Sequence, residues 1–201
     1  FLGKKFVFKI ISVLSDKIIV NSISTFEPWK QSGVTLNVSL IYNGVNVEKF
    51  KNGTGSLKKE YKLKEDSKIV AMISTNPIFD GLDYFIAAAG AVISIFPNYI
   101  FFMIGKMNYC SPEYIEEVEK KIKDLRLNDN FIFTGFRTDI PDILADITIL
   151  IEPMQNGAWS RVILEAMSAG VPVIGVEEDK VSDFLENEIT GILVSRQIEI
   201  G

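Results

Sequence analysis

Short runs of β-branched and aromatic residues, separated by longer stretches with helical spacing, set the plan of the chain. Residues 68–73, 99–104, 131–136, 147–151, 171–174 and 191–194 read as strands. Most are continuously apolar, as strands buried on both faces are. The segments between them read as helices. Residues 82–96 are Ala-rich and apolar almost all round, which predicts a buried helix. Ser111 with Pro112 marks the start of the next helix, and its Glu113, Glu116, Glu117, Glu119, Lys120, Lys121 and Lys123 make a solvated face. Short helices are expected over 57–62, 140–144 and 179–186. Val162, Ile163, Ala166, Met167 and Gly170 repeat at helical spacing. Ser160, or the residue before it, is placed to cap that helix, and Ala169-Gly170 to end it. Strands alternating with helices imply an α/β fold with a doubly wound parallel sheet, which binds ligands at the carboxyl ends of its strands.

The first forty residues have a different character. Residues 1–15 form an apolar helical face flanked by Lys4, Lys5 and Lys9. Such a face suits packing on a further domain, and an anionic membrane surface is the alternative occupant. A short strand at 18–22 follows, with a boundary in 24–38. The Asn43-Gly44 pair after the strand at 39–42 predicts a tight turn. Residues 51–66 read as a charged surface linker.

The composition narrows the function classes. The chain has 201 residues, 47% hydrophobic and 23% charged, which is ordinary for a globular α/β domain. A net charge of −5 argues against a nucleic-acid partner. The absence of His removes Ser-His and Cys-His catalysis and the usual zinc sites. A single cysteine, Cys110, excludes an intrachain disulfide and suits a reducing, cytoplasmic setting.

Two charged residues stand out on the helix that follows Ser160. Arg161 lies in its first turn, where the helix dipole disfavours a cation. Glu165 sits one turn on, among apolar neighbours. They read either as a solvated surface pair or as part of an anion site at a helix N-terminus, with Glu165 accepting hydrogen bonds from ligand hydroxyls.

The segment NGAWSRVILEAMSAGVPVIG resembles the nucleotide-sugar signature of the retaining glycosyltransferases of family 4. The match is densest from Glu165 to Ile174. Further similarities lie in the Tyr-Asn-Gly-Val-Asn segment at 42–46, in Gly81 and the helix after it, and in Phe133-Thr134-Gly135. The resemblance implies the Rossmann-like C-terminal half of a GT-B fold. Residues 1–37 would be the end of an acceptor-binding domain, with 26–33 as the short helix leading into its hinge. Residues 38–201 would be the donor-binding domain, without the family's final C-terminal helices. It further implies transfer of a sugar from a UDP- or GDP-sugar with retention, in glycan or polysaccharide biosynthesis, with no cofactor or metal. The acceptor would be a glycan or lipid held by the missing domain, so the chain alone is expected to show no turnover. The setting would be cytoplasmic, and in the membrane-facing alternative residues 1–15 would be a peripheral contact at the inner face of the membrane.

The resemblance also assigns residues. Glu165 would hold the ribose, while Ser160 and Arg161 at the helix start would meet the diphosphate. Gly105, Gly135 and Phe136 would border the base, with Arg137 and Thr138 beside them, and Lys106 would offer a compensating charge. Three positions depart from the family. Thr75 and Asp80 stand where an Arg and a Lys grip the diphosphate, and Gly157, two residues before the aromatic Trp159, replaces the Glu that holds the transferred sugar. These departures motivate an alternative reading as a degenerate, non-catalytic binding or partner module.

Overall fold

The computed structural model describes residues 2–78, 80–107, 110–153, 160–177 and 184–195. Its centre is a parallel six-stranded sheet, ordered β5-β4-β3-β6-β7-β8. The strands are β3 (Lys68–Ile73), β4 (Tyr99–Ile104), β5 (Phe131–Gly135), β6 (Ile149–Glu152), β7 (Val173–Val176) and β8 (Ile192–Val194). Parallel neighbours require crossover connections, and the helices supply them on both faces. These helices are α5 (Leu82–Ile95), α6 (Pro112–Asp124), α7 (Ile140–Asp146) and α8 (Arg161–Ser168).

Strand pleating divides the core in two. Val70 and Met72 of β3 face Leu82, Phe85, Ile86, Val118 and Ile122 of α5 and α6. Ile69 and Ala71 face the opposite way, onto Ile143, Leu144, Ile163 and Ala166 of α7 and α8. Two short helices, α3 (Val47–Lys51) and α4 (Leu57–Glu60), complete that second face through Phe50 and Leu57. The chain leaves β3 towards β4 on one side and returns through β6 on the other. The strand order therefore reverses between β3 and β6, where an open α/β sheet leaves a crevice at its carboxyl edge.

A second, two-stranded parallel sheet pairs β1 (Ile18–Val20) with β2 (Val38–Leu40). Helices α1 (Leu2–Leu14) and α2 (Ile23–Gln31) accompany it, and Val20, Trp29, Val34 and Val38 form its small core. Phe8 of α1 packs on Trp29, ring centroids 4.4 Å apart. The rest of the α1 apolar face is open, with Phe6 65% and Val13 85% exposed.

Several local expectations are corrected. Asn43-Gly44 makes no tight turn; it lies in an irregular stretch that carries the chain from β2 to α3, and Gly44 keeps an ordinary φ. Helix α2 begins at Ile23 because Ser22 and Thr25 form a reciprocal capping box ahead of the expected start. Helix α4 ends at Glu60, and Lys62 then takes a left-handed conformation. Helix α5 is buried on one stripe only, at Leu82, Phe85, Ile86 and Ala89. Its Tyr84, Ala88 and Val92 instead line an apolar groove shared with Ile151, Val176 and Val194. The helix expected over 179–186 falls mostly outside the described residues. As expected, Ser111 caps α6, its Oγ accepting from Tyr114 N at 3.3 Å.

Candidate active site

A cleft of about 450 Å³ opens at the carboxyl ends of β3 and β6. Its lining includes Ser74, Thr75, Asn76 and Asp80 after β3, Gly105 after β4, and Phe136 and Arg137 after β5. Glu152 comes from the end of β6, and Ser160, Arg161 and Glu165 come from the start of α8. Two glycines let these segments converge. Gly105 has φ +146°, and a Cβ there would overlap the Ser74 carbonyl. Gly81 has φ +89°, and a Cβ there would lie 2.6 Å from the Pro153 carbonyl oxygen. The loop carrying Asp80 is thereby held against the end of β6.

The sequence-assigned residues divide into three groups. Thr75, Gly105, Phe136, Ser160, Arg161 and Glu165 meet in the cleft. Gly135 and Lys106 support it from outside: the Gly135 carbonyl accepts from Gly105 N at 2.9 Å, and Lys106 Nζ sits 4.9 Å above the Phe136 ring. Lys106 itself is not among the described residues that line the cleft. A cation–π contact with Phe136 holds it at the rim. Gly157 and Trp159 lie outside the described residues.

Ser160 occupies the N-cap position of α8, yet its side chain caps no backbone N–H. Its hydroxyl instead donates to Glu152 Oε2 at 3.1 Å. Arg161 and Glu165 form no ion pair, so the expectation of a surface pair is also corrected. Partial burial raises the Glu165 carboxyl above its usual range, against the smaller opposing pull of Arg161 and Lys49. Lys49 enters from α3 through a smaller neighbouring pocket that also contains Gly44, Arg161 and Glu165. Sequence reasoning missed it because it lies more than a hundred residues away.

Arg137 reaches the cleft but is already committed. Its Nη1 donates to both carboxylate oxygens of Glu60, at 2.8 and 2.7 Å, and its Nε and Nη2 donate to Asp139 at 2.9 and 2.7 Å. Arg161 is thus the one cationic side chain among the described lining residues that has no ion pair. On the opposite wall Ser74 Oγ donates to Asp80 Oδ2, and Ser74 Oγ in turn accepts from Asn76 N at 2.9 Å. Among the described residues no group of three or more His, Cys, Asp or Glu side chains could hold a metal ion. No described helix is long and apolar enough to cross a membrane.

The Arg137–Asp139 pair makes a pH prediction. The guanidinium, aided by Ser56, holds the Asp139 carboxyl at about 2. A depressed folded-state pKa contributes stability above the unfolded value, near 3.9, that is lost as pH falls towards about 2. With solvent screening the contribution is about 1 kcal/mol. Asp139→Asn should therefore lose about that much in urea denaturation at neutral pH, and its acid limb should be flatter. Parallel acid limbs for the two proteins would refute the assignment.

Such a crevice, at the reversal point of a doubly wound sheet and with a helix N-terminus and an arginine at its mouth, defines a Rossmann-like ligand-binding domain. The family of glycosyl transferases group 1 matches residues 54–199, and the chain belongs to it. It is 28% identical over 170 residues to the UDP-Gal:alpha-D-GlcNAc-diphosphoundecaprenol alpha-1,3-galactosyltransferase of Escherichia coli, covering 79% of this chain and 41% of that protein. It is 22% identical over 185 residues to the N-acetyl-alpha-D-glucosaminyl L-malate synthase of Bacillus anthracis, covering 92% of this chain and 45% of that one. The chain therefore spans less than half the length of these relatives. Among solved structures, Anabaena Alr3699/HepE in complex with UDP and glucose superposes with a TM-score of 0.81 at 22% identity, over 95% of this chain and 53% of that one. A glycosyltransferase from Rickettsia africae gives 0.82 at 20% identity, over 97% and 53%. Both share the GT-B fold half described above.

Proposed function

We propose that the cleft binds the nucleotide diphosphate of a UDP- or GDP-sugar, and that the chain is the donor-binding part of a retaining glycosyltransferase. The observation that carries this reading is the convergence of Arg161, the N-terminal end of α8, which the Ser160 side chain leaves uncapped, and the half-buried Glu165 on one cleft. The helix end and Arg161 stabilise the departing diphosphate, without a metal. Glu165 accepts from the ribose hydroxyls, and Phe136 with Gly105 borders the base. The names of the Escherichia coli relative and of the HepE complex support a sugar nucleotide as donor. A glycan or lipid acceptor in polysaccharide or lipopolysaccharide assembly is the matching partner. Residues 1–37 belong in this reading to the acceptor-binding domain and hinge, and the open apolar face of α1 packs on the rest of that domain.

Calorimetric titration with UDP-glucose and GDP-mannose tests the proposal. Micromolar binding of one donor is expected, weakened about tenfold to a hundredfold in Glu165→Ala because ligand hydroxyls then lose a charged acceptor. Absence of binding to both nucleotides would favour the alternative, a non-catalytic partner module.

A further inference from the structure

Glu152 ends β6, is only 3% exposed and still lines the cleft. Its Oε2 accepts from Ser160 Oγ, and no described residue bonds its Oε1. From the loop before α5, Asp80 brings a second carboxyl to the same wall, and Asp80 already has a hydroxyl donor in Ser74. Among the described residues the other charged groups around this space are Arg161 and Glu165 from α8, with Arg137, which is committed to Glu60 and Asp139. Two neighbouring carboxyls beside one free cation cannot both ionise cheaply. Glu152 keeps the proton: burial first, then the charge of Asp80, push its carboxyl up to about 8, against the pull of Ser160. With Oε2 accepting from Ser160, the proton belongs on Oε1, the oxygen with no partner among the described residues.

We propose that Glu152 is a diphosphate-binding residue which acts as a neutral acid, donating a hydrogen bond from Oε1 to a phosphate oxygen of the sugar nucleotide. It supplies a donor on the wall where Asp80 leaves no cation. This rests on the reading of the cleft as a sugar-nucleotide site. Its consequence is that donor affinity is linked to one proton.

The test is calorimetry of UDP-glucose and GDP-mannose from about pH 6 to about pH 9, a window in which a diphosphate diester has no terminal phosphate to titrate. Wild-type affinity should be level near pH 6 to 7 and fall about tenfold per unit above about 8. Glu152→Gln keeps an N–H donor and cannot ionise. Its affinity should stay level from pH 6 to pH 9, since its amide donor has no proton to lose in that range. A level wild-type profile with clear binding would overturn the role of Glu152 and leave the donor site standing. A fall shared by the Gln variant would overturn it too. No binding of either nucleotide at any pH would overturn both readings. Independently of any variant, the Glu152 carboxyl carbon should titrate by ¹³C NMR well above the ordinary carboxylate range and shift on nucleotide addition. Ordinary titration would refute the proposal.

Discussion

Gly105→Ala should cost more than about 4 kcal/mol and leave little folded protein in moderate urea, an effect confined to a few mechanisms of which backbone overlap is one. The backbone at Gly105 has φ +146°, a conformation L side chains rarely adopt. The greater cost is steric. The added Cβ would overlap the carbonyl oxygen of Ser74, and that oxygen has little freedom to move. Ser74 N donates to the Ile104 carbonyl at 2.9 Å, Gly105 N donates to the Gly135 carbonyl at 2.9 Å, and the β3–β4 ladder is in register up to Ile73 and Ile104. Relief requires parting the ends of β3, β4 and β5, which would also open the cleft. Gly44→Ala is the control: its Cβ meets nothing within 4 Å and its φ is ordinary, so its stability should stay within about 0.5 kcal/mol of wild type. A Gly105→Ala protein as stable as the Gly44→Ala protein would show that the three strand ends are not locked together.

Much of this geometry was legible in the sequence, because strands buried on both faces announce themselves. The runs at 68–73 and 99–104 appear as β3 and β4 with the expected bounds. The spacing from Val162 to Gly170 gives α8, and it is the helix that presents Arg161 and Glu165 to the cleft. What remained hidden was set by partners distant in sequence. Arg137 reads as a free base-side cation until Glu60, 77 residues away, folds onto it. Ser160 reads as a cap because local spacing favours one, but the end of β6 offers its hydroxyl a buried carboxyl oxygen instead. Glu152 carries no local signal in the sequence, whereas in the fold β6 ends at that residue and it lines the cleft. The outer side of α5 is apolar in sequence without being covered by the described residues, because periodicity reports composition and not what lies opposite.

Arg161→Glu should weaken sugar-nucleotide binding by roughly a thousandfold or more, whereas Asp80→Asn should tighten it. The argument is charge balance in the cleft. Arg137 is neutralised by two carboxylates, so Arg161 faces Asp80 and Glu165 as the one uncommitted positive side chain among the described lining residues. At about 4 Å near a protein surface one charge pair is worth roughly 4 kcal/mol before solvent screening, and reversal changes the balance by two charges. Half of that two-charge change, roughly 4 kcal/mol, is about a thousandfold. The dipole of α8 does not compensate, because its share of the anion attraction is about 1 kcal/mol. Removing the Asp80 charge acts the other way: Asn still accepts from Ser74 and no longer repels the diphosphate, so roughly tenfold tighter binding is expected. Both effects should shrink as salt rises, since screened charge is their common cause. Calorimetry of the two variants at low and high salt measures this directly. Equal affinities for wild type and Arg161→Glu would place the anion elsewhere and remove the cleft from the reading altogether.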